Sequence, residues 1–180
     1  MRKVMWALGG AAVLLSGMLS ANSASADTPL VTCTGSNVIK YEPGVTYTEK
    51  TVRITGVDSA ALCVDAANPL VPLSFEAPFS GDFTTSCASV FSGGTGTQTL
   101  NWKRAGKATG ETSEWHWTMH FSTNANGQLL SIADGPIVNG KYAGKELRQV
   151  ITVATGDQTA CSKPEGLTET SGPSNWVFTF

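Results

Sequence analysis

Charge is scarce in this chain: Asp, Glu, Lys and Arg together make up 14 % of its 180 residues, beside 41 % apolar residues. So little charge excludes a disordered chain and a coiled coil, and 19 Gly with 8 Pro fall far short of a collagen repeat. Histidine is scarcer still, with His116 and His120 the only two. Any Ser-His-Asp machinery would have to use one of them, and no G-x-S-x-G elbow precedes a helix. Gly93-Gly94-Thr95-Gly96 lacks the lysine of a phosphate loop, so it reads as a turn. The four cysteines have neither zinc-site nor Cys-x-x-Cys spacing. No cofactor signature is found, and helical spacing of apolar residues is almost absent.

What is present begins with an export address. Arg2 and Lys3 precede an uncharged apolar run, Val4 to Leu19, and small and polar residues follow, ending Ala24-Ser25-Ala26. This order predicts a secretory signal helix over residues 1–26, cleaved after Ala26, with residues 27–180 released as one extracellular domain. The apolar run has 16 residues, short of the roughly 20 that a spanning helix needs, so no stable membrane span is expected after processing. No Cys follows the run closely and paired arginines are missing, which points to ordinary export without a lipid anchor. The released domain carries ten basic and fourteen acidic residues, a net charge of −4. That balance lacks the basic footprint of a nucleic-acid binder.

Cys33, Cys63, Cys87 and Cys161 all lie in the released part, and an even count in an exported chain predicts two structural disulfides. Three pairings are possible. Neighbourhood along the chain favours Cys33–Cys63 and Cys87–Cys161, because each would tie two strands of one local unit. Loop entropy gives about 3.5–4.5 kcal/mol for each as an upper figure.

The domain also holds 22 Thr and 13 Ser, many of the threonines between Val, Ile, Phe or Trp, which is the composition of strands with one wet face. Candidate strands are Leu30–Cys33, Val38–Tyr41, Thr51–Val57, Val71–Ala77, Asp82–Thr85, Thr97–Lys103, Ser113–Phe121, Gln128–Ala133, Leu147–Ala154 and Asn175–Phe180. Pro43-Gly44, Gly93-Gly94, Asn126-Gly127, Asp134-Gly135 and Asn139-Gly140 supply turn residues between them. Ser59–Ala66 is the one helix candidate, with a strand end and turn as its equal. Short strands at this density predict an all-β, antiparallel immunoglobulin-like sandwich, with a small closed barrel as the alternative.

Ser113–Phe121 carries most of the functional information. In a strand, Trp115, Trp117, Met119 and Phe121 share one face while Glu114, His116, Thr118 and His120 share the other. Leu100 and Trp102 repeat the apolar phase, as do Trp176, Phe178 and Phe180, and together these side chains form the expected core. On a helix, His116 and His120 would make a metal pair; on a strand they stand about 13 Å apart, too far to share an ion. Glu114 and His116 share a face, but a third ligand is not evident. Trp115 and Trp117 offer a second reading, an aromatic platform for sugar rings, against which Met119 and Phe121 continue the stripe as core. The carboxylates Glu42, Glu49, Glu76, Asp82, Glu111 and Glu114 can be paired in many ways, which gives no signal for a glycosidase. The aromatic C-terminus is shared with outer-membrane barrels, but four cysteines, short strands and irregular alternation speak against that class.

Cys87, Trp102 and Cys161 resemble the Cys…Trp…Cys framework of immunoglobulin domains, with Thr159 where that family has its corner tyrosine. The opening Val31-Thr32-Cys33-Thr34-Gly35-Ser36 and Tyr41-Glu42-Pro43-Gly44-Val45-Thr46, followed by Cys63, Ser86-Cys87 and Leu100-Asn101-Trp102, resembles small exported β-rich proteins of actinobacteria, of streptomycete type. That group has no assigned activity, so the resemblance implies no functional residue. The expected function is a secreted, non-enzymatic binding or interaction module of unknown partner, with an envelope polysaccharide or protein as the candidates and a structural envelope protein as a further hypothesis. Its alternatives are a carbohydrate-binding module using Trp115 and Trp117, and a secreted hydrolase using His116 or His120.

Overall fold

A computed structural model describes residues 30–90, 92–153 and 157–180. The expected signal helix and its cleavage site lie outside the described residues. The strands are β1 (Val31–Val45), β2 (Lys50–Asp65), β3 (Leu73–Thr85), β4 (Gly94–Arg104), β5 (Lys107–Thr123), β6 (Leu129–Gly140), β7 (Glu146–Thr152) and β8 (Leu167–Thr179). Each pairs antiparallel with the next, and β8 returns to β1, closing an eight-stranded barrel. The expected sandwich is thereby replaced by its alternative.

Physically, the correction comes from strand length. Ten short candidates become eight strands, seven of them of 11 to 17 residues, because glycines and prolines that read as turns lie inside strands. Leu30–Cys33 and Val38–Tyr41 join within β1, which runs through Gly35 and Pro43-Gly44. Val71–Ala77 and Asp82–Thr85 join in β3. Asp134-Gly135 lies within β6, and Ser59–Ala66 is strand through Asp65 rather than helix. Strands of 11 to 17 residues reach across a whole barrel wall, and a sheet of such strands that twists steadily can meet its own edge. Asn126-Gly127 does turn β5 into β6, and Asn139-Gly140 leads into the β6–β7 turn.

Inward side chains fill the barrel in three layers. Toward one end lies an aromatic layer of Phe75, Trp102, Trp115, Trp176 and Phe178, each at most 1 % exposed. Here Cys33 and Cys63, directly opposite each other on β1 and β2, form one disulfide. Tyr142 closes this end. Its ring packs on Trp102 and Phe178, and its hydroxyl donates to Asp65 at 2.8 Å. That contact holds Tyr142 in a left-handed conformation (φ 64°). Burial, the bond to Asp65 and the charges of Asp65 and Glu111 push the phenol above its ordinary range, against a smaller opposing effect of Arg104. The opposite end holds Tyr41, Val45, Val52 and Leu167 beneath two one-turn helices, α1 (Cys87–Val90) and α2 (Asp157–Ala160). Cys87 of α1 is bridged to Cys161, the residue after α2, so the second disulfide staples a lid. Both bridges match the favoured pairing.

Between the apolar layers lies a polar one. Asp58 of β2, 4 % exposed, accepts hydrogen bonds from the carboxamides of Asn37 (2.9 Å), Gln98 (2.8 Å) and Gln149 (2.6 Å) on three other strands. Gln149 also donates to Ser174 at 3.1 Å, and Gln98 to the Ala77 carbonyl at 2.8 Å. That second Gln98 bond marks a seam. The β3–β4 ladder pairs only Leu73–Glu76 with Asn101–Arg104, after which the two strands part.

Candidate functional site

Outward rows set the chemistry of the barrel wall. On β4 they present Thr95, Thr97 and Thr99, and on β5 Glu114, His116, Thr118 and His120. Register places Thr95 opposite Thr118, Thr97 opposite His116, and Thr118 opposite Asp134 of β6. Asp134 is paired in turn with Arg148 of β7. This part of the wall is polar and the lumen holds the indole and phenyl rings, the reverse of an outer-membrane barrel's outward apolar band. Strand length no longer separates the two classes, but the direction of the side chains does.

Between two of these rows runs a trough of about 390 Å³, lined by Thr95–Thr97, His116–Thr118 and Asp134–Pro136. Two glycines on the neighbouring strands let β5 pack closely against them. A Cβ on Gly96 would overlap the Trp117 ring at 2.4 Å, and one on Gly135 would stand 2.0 Å from the His116 carbonyl oxygen. Gly96 thus leaves room on the lumen side for the Trp117 ring and Gly135 lets β6 approach β5, so the backbone of Gly96, Trp117 and Gly135 floors the trough between the outward side chains. Gly135 is a close-approach residue here, although Asp134-Gly135 reads as a turn.

The sequence-expected candidates divide across the wall. Glu114 and His116 come together at 3.0 Å, both half exposed. His120 shares their outward face, beside Ile132 of β6. Among the described residues, no group of three or more His, Cys, Asp and Glu is placed to hold a metal ion. Trp115 is 1 % exposed, with its indole N–H donating to the Gly135 carbonyl at 3.1 Å. Trp117 is half buried, its ring 6.4 Å from that of Trp115 and tilted by 49°. The pair therefore does not form a flat, solvent-facing platform. Met119 and Phe121 are also only half buried, because their strand runs on past the point where β3 and β4 part. Phe180, expected in the core, is 68 % exposed beyond the end of β8.

Sequence reading missed the Asp58 layer, though a signal for it existed. Asn37, Asp58, Gln98 and Gln149 each occupy the inward phase of their strand, in step with Cys33, Val52, Leu100 and Leu147. Polar residues in the phase of buried ones on four strands mark a network. Burial raises the Asp58 carboxyl above its ordinary value, more than the bonds from Gln98, Asn37 and Gln149 lower it. No family model, curated protein or solved structure matches the chain.

Proposed function

We propose that the protein is an exported, non-enzymatic binding module that holds a hydroxyl-rich partner, an envelope polysaccharide, in the trough across β4, β5 and β6. One observation carries this reading: polar groups inside the barrel are committed to one another, whereas the trough turns the hydroxyls of Thr95, Thr97 and Thr118 toward water beside the His116–Glu114 and Asp134–Arg148 pairs. Threonine hydroxyls both donate and accept, which suits sugar hydroxyls, and the strand scaffold fixes their spacing. Chemistry is less well supported. His116 bonds Glu114, its neighbour on the same strand face, and the pair stands half exposed on an open wall where water would compete for every charge. The carbohydrate reading passes from the Trp115–Trp117 pair to the trough walls, since Trp115 is enclosed.

Retention on insoluble cell wall, chitin and cellulose tests the proposal. Wild-type protein is expected to be retained on at least one, and His116→Ala with Thr97→Ala to weaken retention about tenfold, the loss of one or two hydrogen bonds. Retention unchanged by the double variant, or hydrolysis of the polysaccharide, would contradict it.

A further inference from the structure

One long gap interrupts the barrel wall. Past Glu76 and Asn101 the β3–β4 ladder ends, while β3 goes on pairing with β2 as far as Thr85 and β4 with β5 back to Gly94. Ala77–Thr85 and Gly94–Leu100 therefore keep a ladder on one side only, and each turns an unpaired main-chain edge toward the other. Side-chain amides finish the last rung: Gln98 donates to the Ala77 carbonyl at 2.8 Å and Asn101 to the Glu76 carbonyl at 3.1 Å. Beyond them the gap shows in the exposure of Phe83. It stands directly opposite Val52 on the inward face, yet Val52 is 0 % exposed and Phe83 53 %. Continued in register, the ladder would set Gly94 beside it, a residue with no side chain to cover the ring. The other inward position on this part of β4 is Gly96, next to Trp117 of β5. Rings bend over glycines along both edges: a Cβ on Gly96 would stand 2.4 Å from the Trp117 ring, and one on Gly81 2.6 Å from that of Phe83.

We propose that this slot takes up an extended, uncharged peptide segment of a partner protein as an added strand, hydrogen-bonded to β3 on one side and to β4 on the other. Main-chain donors and acceptors in a row are what another extended backbone satisfies, and pairing along both edges doubles the bonds of a strand added to one. Charge sets the partner's composition. Natural edges are guarded by charge, proline or a bulge; β3 has Pro78 and Asp82, whereas Gly94–Leu100 of β4 has none of these. An uncharged segment fits, with threonine or serine beside the outward Thr95, Thr97 and Thr99 and an apolar residue at the alternate positions, over the rings of Phe83 and Trp117. A second barrel does not fit. Its β4 arrives with β5 attached, whereas the slot is closed at both ends, by the Leu73–Glu76 ladder and by the connection carrying α1. The inference does not rest on the trough reading, since the outward side chains of β4 serve the trough and its main-chain edge the slot.

Titration of the exported protein with the acetylated, amidated peptide Ser-Val-Thr-Val-Thr-Val-Ser, read by calorimetry and by amide hydrogen exchange, tests it. The peptide is expected to slow exchange in both Ala77–Thr85 and Gly94–Leu100 and to leave Asp134 and Gly135 of the trough unchanged. The same peptide N-methylated at its valines can pair along one edge only, because alternate N–H groups point to opposite sides, and is expected to bind more than tenfold more weakly. Phe83→Ser is expected to weaken binding severalfold. Phe180→Ser, which removes an exposed ring beyond the end of β8, is expected to leave it unchanged, with melting temperatures checked for both variants. No binding, equal binding of the N-methylated peptide, protection of one edge alone, or equal losses from the two variants would overturn the proposal. So would slow exchange of both segments in the free protein, which would mean that β3 and β4 pair with each other, and protection that rises with protein concentration alone, which would assign the slot to a second copy.

Discussion

Asp58 stands in a strand phase otherwise given to side chains such as Val52 and Ala60, and it is tolerated because three carboxamides reach it across the lumen. A buried carboxyl of this kind links pH to stability. Its proton is held to higher pH in the folded barrel than in the unfolded chain, where it leaves near 3.8. Its contribution is therefore full below that value and is lost as pH rises through the folded-state value. Thermal melts from pH 3.5 to 8 should show Asp58→Asn less stable at the acid end, by about 1–3 kcal/mol for the hydrogen bonds it cannot reproduce. The gap should narrow as pH rises; a gap that widens would mean the carboxylate is the favoured form inside. Gly135→Ala should cost about 2–3 kcal/mol, because the new methyl meets the His116 carbonyl oxygen and the residue holds a φ of 157°. Chemical denaturation reads that directly.

At the scale of elements, the two disulfides do different work. Cys33–Cys63 links strands that a ladder already pairs, whereas Cys87–Cys161 ties α1 to the residue after α2 across 74 residues of chain. Replacing Cys87 and Cys161 by Ala should lower the melting temperature by roughly 10 °C, from about 4 kcal/mol of loop entropy at most. The Cys33→Ala, Cys63→Ala pair should cost less. Equal losses would show that the lid is not held by its bridge. The parted β3–β4 seam makes a further prediction: amides along Ala77–Thr85 and Gly94–Thr97 should exchange faster than those of β1 and β2, whose ladder is continuous but for one bulge. Much of this level was legible in the sequence. Alternation on β5 placed Trp115 inside and His116 outside, and Asn126-Gly127 marked a hairpin. What misled was punctuation: Gly35, Pro43-Gly44 and Gly135 serve continuous, curved strands, and a local signal cannot tell a turn from a bulge or a close approach. The trough was legible only as its β5 row, since register alone brings Thr95, Thr97 and Asp134 beside it.

For the molecule as a whole, the inside supplies stability, and the proposed function assigns recognition to the outside. Eight strands leave room for side chains or for one small ligand, and here indoles, phenyl rings and the Asp58 network take up the interior. Titration of solubilised cell-wall fragments into ¹⁵N-labelled protein, followed by NMR, tests this division most directly. Shifts should be confined to Thr95–Thr97, His116–Thr118 and Asp134–Pro136, with the indole N–H signals of Trp102, Trp115 and Trp176 unmoved. Movement of those indoles, or of the Gln98 and Gln149 carboxamides, with the trough silent would place the ligand in the lumen and contradict the account.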